Sequence, residues 1–221
     1  MNSILASYTS LLGQGTLDTL YMTGMSAVIA YLFGLPLGVA LVVTAPKGLR
    51  PHPYFNRVLG AIVNIVRSVP FIILLIAVIP FTRFVVGTSI GATASIVPLA
   101  LGAVPFVGRM VESSLKDLDD GVIEAAQSMG ASLGQIIFRV MLSECLPSLI
   151  LGATITIITL VGYSAMAGTV GGGGLGDIAV RYGYYRYQND LMVLTILLLL
   201  LVVQVVQSLG SNLSRKADRK R

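Results

Sequence analysis

The chain has 221 residues, of which 55% are hydrophobic and only 11% are charged, and its mean hydropathy is +0.85. Soluble domains carry about 25% charged residues, so this composition predicts a membrane protein. The formal net charge is +5, but no basic patch is interleaved with stacking aromatic residues, which argues against nucleic acid as a partner. The single cysteine, Cys145, excludes an internal disulfide. The single histidine, His52, lies between prolines and belongs to no metal-binding cluster.

The N-terminal part predicts one membrane-spanning helix. Residues 1–18 are mildly polar and are expected to form an external segment. No charged residue occurs from Thr19 to Pro46, and about 20 apolar residues are enough to cross the hydrocarbon core. The first span is therefore placed near 20–42. Pro36 lies within it, which a membrane bundle tolerates.

The second apolar run, about 58–80, is interrupted by Arg67. Two frames remain open: one span that contains Arg67, or an interfacial segment at 54–66 followed by a span that begins near Ser68. Arg67 is a candidate intramembrane charge facing the bundle interior, because charge facing lipid is costly. The alternative is that its long side chain reaches the cytoplasmic headgroups.

Three further charge-free runs predict spans near 88–109, 146–167 and 191–210. With five spans, residues 19–210 form an all-α polytopic membrane domain. A glycine-rich stretch, 168–176, follows the fourth span but lacks the Gly-Lys-Ser/Thr of a phosphate loop. We expect it to provide backbone flexibility or close helix approach at the outer face.

Tyrosine and arginine are concentrated from Asp177 to Asp190. This segment is either an aromatic belt at the level of the lipid headgroups or a docking surface for an external partner. The belt is the favoured interpretation because such belts are general in membrane proteins.

Lysine and arginine predict the orientation of the chain, since loops rich in both stay in the cytoplasm. Five spans place the two termini on opposite sides. One side collects Lys47, Arg50, Arg57, Arg109, Lys116, Arg139, Arg215, Lys216, Arg219, Lys220 and Arg221. The other side has Arg83, Arg181 and Arg186, and Arg67 is unassigned. The basic tail at 211–221 is therefore predicted to be cytoplasmic, with the N-terminus outside.

The cytoplasmic loop at 110–145 predicts two helices joined at a glycine. Its many charged side chains keep it out of the hydrocarbon. Asp119 or Asp120 begins the first helix, and Gly130 ends it by adopting the left-handed conformation. Apolar residues at helical spacing predict the second helix, over 133–142. Two short helices on a membrane surface form a candidate docking site for another protein.

The first of these helices carries a known motif. Glu124-Ala125-Ala126, followed after three residues by Gly130, resembles the EAA motif of permease subunits in binding-protein-dependent ABC importers. The aliphatic residue and the leucine that continue the motif are Val140 and Leu142. Ser143 stands where the family has proline, so a bend after Leu142 is in doubt.

Four other stretches, at 64–71, 79–83, 86–91 and 159–166, resemble the methionine-uptake members of this family. The resemblance implies a type I ABC importer fold in the cell inner membrane. It also implies import of methionine, as both the L- and the D-form, by alternating access. Another amino acid is the alternative substrate.

The resemblance further implies the partners: a second copy of the chain, a cytoplasmic ATPase dimer that carries ATP and Mg²⁺, an external binding protein and membrane lipid. The chain itself would be no enzyme, with no catalytic residue, bound cofactor or metal. The residues implied in coupling to the ATPase are Asp120, Gly121, Glu124, Ala125, Ala126, Met129 and Gly130.

Two other classes of transporter stay open as alternatives. No acidic residue lies in any predicted span, so a secondary transporter driven by protons or sodium has no obvious ion carriers. A passive channel would need no ATPase. For the pathway, Met166 is a candidate gate, because it is flexible and has small neighbours, and Tyr163 and Ser164 are candidate lining residues. Ordinary helix packing is the other interpretation of Met166.

Overall fold

A computed structural model describes residues 2–218, with side chains from Tyr8 onward. This part of the chain is helical and contains no β-strand, which confirms the expected all-α class. Its helices are α1 (Asn2–Val43), α2 (Pro53–Ser68), α3 (Phe71–Ala77), α4 (Ile79–Val86), α5 (Ala92–Lys116), α6 (Asp120–Ser128), α7 (Leu133–Gln135), α8 (Leu142–Glu144), α9 (Leu146–Gly168), α10 (Gly174–Ile178) and α11 (Asn189–Ala217). Two π-helical segments, Ile136–Met141 and Ala179–Tyr184, continue α7 and α10.

Four of the described helices are long and apolar enough to cross a membrane. They are α5, α9, α11 and the Tyr8–Val43 part of α1. Each overlaps one span predicted from the charge-free runs. Pro98 and Pro105 lie inside α5 and Pro36 inside α1, so none of these prolines breaks its helix.

The run at 58–80 does not form one straight helix. α2 and α3 meet at an angle of 99°, so this run is a bent pair. Val69 is extended, with φ −78° and ψ 123°, and it precedes Pro70. A residue before proline is pushed out of the helical region, which explains the position of the break. Arg67 lies in the last turn of α2, on its exposed surface.

The helix of the first span is longer than the predicted 20–42 and includes most of the segment at 1–18. α1 begins at Asn2 and continues without a break to Val43. Inside the bundle, α1 packs against α5 through Gly34 and Gly38. A Cβ atom on Gly34 would lie 2.6 Å from the Cβ of Val107, and one on Gly38 would lie 2.6 Å from the carbonyl oxygen of Gly108. Only glycine permits this approach.

α9 and α11 pack as closely at the other side of the bundle. Gly210 of α11 lies directly against Thr154 of α9, leaving no room for a Cβ atom. Near the same end, the Ser214 hydroxyl donates to the carbonyl of Pro147 at 2.9 Å. Small residues therefore set the distance between these two helices.

The glycine-rich stretch makes close contacts with α1, α5 and α9. The Leu175 amide donates to the Thr19 hydroxyl at 2.9 Å, and Gly91 donates to the carbonyl of Gly171 at 2.9 Å. A Cβ on Gly176 would lie 2.5 Å from the Cα of Ala165. The sequence left two interpretations of this stretch, backbone flexibility or close helix approach, and the structure shows close helix approach.

Candidate coupling site

The EAA-like motif lies on α6, and an aspartate caps the start of that helix. The Asp119 carboxylate accepts a hydrogen bond from the Gly121 amide at 2.7 Å. Asp120 adds negative charge in the first turn, which the helix dipole favours. A Cβ on Gly121 would lie 2.8 Å from the same Asp119 oxygen, so glycine leaves space for the cap.

The end of α6 is a Schellman motif centred on Gly130, whose φ is +77°. The Ala131 amide donates to the carbonyl of Ala126 at 3.1 Å, and the Gly130 amide donates to that of Gln127 at 2.9 Å. These two bonds satisfy carbonyls that a helix end otherwise leaves free. The chain leaves α6 sharply because glycine can adopt a positive φ without steric cost.

α6 has one face against the protein and one face in solvent. Ala126 is buried, and Ile123 is half-buried in the main core. Glu124, Ala125 and Met129 are exposed, and Met129 has 81% of its surface accessible. Among the described residues, the Glu124 side chain makes no ion pair or hydrogen bond. An exposed apolar residue beside a free carboxylate on a capped helix is a surface fit for a protein partner.

The second helix of the loop extends further than predicted and changes its winding. Ser132 and Gln135 form a capping box at its start, with the Ser132 amide donating to the Gln135 side chain at 2.8 Å. The helix then continues as the π-helical segment Ile136–Met141 and as α8. Ile136 and Met141, two of the residues that predicted the apolar face, are buried. This second arm therefore anchors the loop in the core.

A network around the buried carboxylate of Glu112, which sequence reasoning did not single out, links α5 to α2 through Arg109. Glu112 is 7% exposed and forms ion pairs with Arg109 and, at 2.7 Å, with Lys116. Arg109 also donates to the Gly60 carbonyl at 3.0 Å and to the Asn64 side chain at 2.9 Å. The spacing of three and four residues around Glu112 is a sequence signal for these pairs. The link to α2 has no such signal.

A cleft of about 450 Å³ separates α6 from the loop that follows α1. It is lined by Val42, Ala45, Lys47, Gly48, Leu49, Leu115, Lys116, Leu118, Asp120, Ile123, Glu124, Gln127 and Met141. On this side α6 is therefore separated from the loop after α1, and its packing contacts lie on the opposite side, at Ala126.

The candidate gate and pathway residues occupy different environments near the C-terminal half of α9. Met166 is 46% exposed. Tyr163 stacks on Phe71 of α3, with ring centroids 4.3 Å apart and planes 2° from parallel. Ser164 is buried and donates to the carbonyl of Val161 at 2.7 Å, so it faces the packed interior.

Known proteins resemble this chain over nearly its whole length. The profile of the family described as binding-protein-dependent transport system inner membrane component matches residues 30–219. A probable D-methionine transport system permease protein MetI of Vibrio cholerae is 51% identical over 210 residues, which are 95% of this chain and 93% of the relative. The D-methionine transport system permease protein MetI of Escherichia coli strain K12 is 54% identical over 158 residues, 72% of this chain and 73% of the relative.

A solved structure agrees with this sequence similarity. A chain of the MetNI methionine ABC transporter, in an inward-facing conformation, superposes with a TM-score of 0.93 at 50% identity. The match covers 95% of this chain and 97% of that one. With the EAA-like helix in place and the family profile covering residues 30–219, the chain belongs to the binding-protein-dependent transport system inner membrane component family.

Proposed function

We propose that this chain is the permease subunit of an ATP-driven importer that moves L- and D-methionine across the inner membrane. The observation that carries the coupling role is α6, a helix capped at both ends whose exposed face has no partner within the described part of the chain. The permeases that resemble the chain are named for D-methionine, and the matching structure is a methionine ABC transporter.

In this proposal, ATP and Mg²⁺ belong to a separate ATPase dimer that receives α6 of two permease copies. Closure of the ATPase dimer on ATP would displace both α6 helices together. The buried Ala126 and the two Schellman bonds, from the Ala131 amide to Ala126 and from the Gly130 amide to Gln127, transmit that displacement, because they join α6 to the arm that continues into α9. The spans then rock between inward-facing and outward-facing packings, which is a hinge or shear motion.

The exposed residues of α6 have distinct roles in this contact. Glu124 offers a charge that orients the helix in the groove of the ATPase. Ala125 keeps the inserted surface small, and Met129 gives it a flexible apolar residue. Gly130 permits the sharp exit that keeps the helix projecting from the membrane domain.

Uptake of labelled methionine by vesicles tests this function directly. The vesicles contain this chain with its ATPase, and a binding protein is added outside or omitted. We expect uptake to need ATP and binding protein and to persist when proton and sodium gradients are collapsed. Uptake without the ATPase would indicate a channel, and loss with the gradients would indicate a secondary transporter. Uptake of a different amino acid in place of methionine would refute the proposed substrate.

A further inference from the structure

A small cavity lies where the bent pair meets α5 and α9. It has a volume of about 190 Å³ and is lined by Val66, Arg67, Val69, Phe71, Leu74, Gly102, Phe106 and Tyr163. Drug-sized ligands occupy pockets of about 300 Å³ or more, so this cavity suits something nearer a single amino acid. It lies beside α9, the helix that carries the candidate pathway residues.

Aromatic rings line the cavity, and the absence of a side chain at Gly102 keeps its volume free. Phe71 and Tyr163 stack with their planes nearly parallel, and Phe106 lines the same space from α5. A Cβ on Gly102 would lie 3.4 Å from both Phe71 and Leu74, so any side chain there would narrow the cavity. Polarisable thioether sulfur makes favourable contacts with aromatic rings.

Arg67 provides the one charged group that lines this cavity. It is exposed, and it has no hydrogen bond or ion pair within the described residues. Arg109 and Arg181 are paired with Glu112 and Asp177, whereas Arg67, like Arg50, Arg57 and Arg139, has no such partner in the described part of the chain, and of these four only Arg67 lines this cavity. An uncompensated guanidinium in a membrane domain is costly and is suited to a planar carboxylate, which it binds through two parallel hydrogen bonds.

We infer that this cavity is a transient binding subsite for the transported amino acid. Arg67 holds the substrate carboxylate, and the rings of Phe71, Phe106 and Tyr163 contact the thioether side chain. No acidic residue lines the cavity to fix the amino group, so a site of this kind accepts both stereoisomers. The inference rests on the proposed function, since it assumes that the substrate is methionine.

Arg67 and the aromatic rings lie on different helices, so a movement of these helices can break up the subsite. Arg67 ends α2, and Phe71 begins α3 just beyond the 99° bend. A change in that bend would move Arg67, which binds the substrate carboxylate, away from Phe71 in the aromatic wall. Such a change during conversion between inward-facing and outward-facing states would weaken binding and release the substrate.

Cysteine labelling at the cavity wall tests the inference, and the Arg67→Gln variant separates binding at this cavity from binding elsewhere in the complex. The probe position is Val69→Cys, in a Cys145→Ala background within the permease–ATPase complex. We expect millimolar methionine to slow maleimide labelling about tenfold, and methioninamide, which has no carboxylate, to leave it unchanged. Adding Arg67→Gln should abolish the protection, whereas Arg57→Gln, a surface arginine of the same helix, should preserve it.

Transport by the same variants provides the second measurement. Arg67→Gln should lower methionine uptake about tenfold while ATP hydrolysis stimulated by the binding protein continues, a split that a misfolded protein would not show. Wild-type uptake by Arg67→Gln, or an absence of protection by methionine, would overturn the subsite, and the latter result would leave a lipid anion as the partner of Arg67. Failure of the wild-type chain to import methionine would instead refute the proposed function.

Discussion

Gly130 and Glu112 each occupy an environment on the cytoplasmic side that restricts the residue type. Gly130 has a positive φ of 77° at the exit of α6. Glu112 is a carboxylate with 7% exposure between two cations. Gly130 sets the direction in which the backbone leaves α6. Glu112 partly neutralises the positive charge of Arg109 and Lys116.

Replacing Gly130 by leucine should leave the protein in the membrane but abolish transport-coupled ATP hydrolysis. A side chain at positive φ costs about 1–2 kcal/mol, which is enough to displace the end of α6. The measurement is ATP hydrolysis stimulated by binding protein and substrate in vesicles. Gly134→Leu is the matched control, because Gly134 is exposed in the same loop and has open space around it. Full ATP-driven uptake by Gly130→Leu would refute the coupling role of α6.

Replacing Glu112 by glutamine should destabilise the protein by about 1–3 kcal/mol, because Arg109 loses its charged partner. Lys116 is more exposed than Arg109 and should contribute less to this loss. Thermal unfolding of the purified protein in detergent measures the effect. Glu144→Gln, an exposed change in the same loop, should leave the melting temperature unaltered. Equal melting temperatures for both variants would mean that the buried network adds no stability.

At the scale of elements, small residues decide how the helices pack. Gly34 and Gly38 bring α1 against α5, and Gly210 brings α11 against α9. Apolar surface cannot hold helices together in lipid as it does in water, so close backbone approach takes over that role. The bend between α2 and α3 is the other decisive feature, since it forms the cavity at Arg67.

Replacing Gly210 by leucine should separate α9 from α11, because its side chain would overlap Thr154. Lower yield in the membrane and a lower unfolding temperature are the expected results. Gly162→Leu on α9 is the control, since nothing lies within 4 Å of a Cβ at that position. A Gly210→Leu protein as stable as wild type would show that these two helices can move apart without cost.

At the scale of the whole molecule, the long helices bring separate segments to two opposite ends. The loop after α1, the end of α5 and α6 line one cleft, and Ser114 bonds to Ser148 at 2.8 Å near the start of α9. At the other end, Thr19 bonds to Leu175 and Gly91 to Gly171. Lys47 and Lys116 lie at the first end, which supports its assignment to the cytoplasm.

Labelling from each side of the membrane tests this orientation. In a Cys145→Ala background, Ser128→Cys should react with an impermeant maleimide only when the reagent reaches the cytoplasmic face. Tyr187→Cys should react only from outside. Both positions are exposed in the structure, so access and not burial decides the result. Labelling of Ser128→Cys from outside would show that α6 lies on the external face, where no ATP is available, and would refute the predicted orientation.

Features that depend only on neighbouring residues can be read from the amino-acid sequence. Runs without charge located the long helices, because hydrocarbon excludes charge whatever the packing. Asp119 and Gly130 located α6, because caps act within one helical turn. Pro70 also carried a local signal for the bend, and the second of the two frames left open, with a span that begins near Ser68, agrees with the observed break.

Features that join distant parts of the chain became visible only in the folded protein. The bond from Arg109 to Gly60, the approach of Gly210 to Thr154 and the meeting of Arg67 with Tyr163 each connect residues far apart in sequence. No local spacing specifies such contacts, since they depend on how complete helices cross and pack. The same limit explains why the bonds from Arg109 to α2 had no sequence signal, whereas the pairs of Glu112 with Arg109 and Lys116 had one in their spacing.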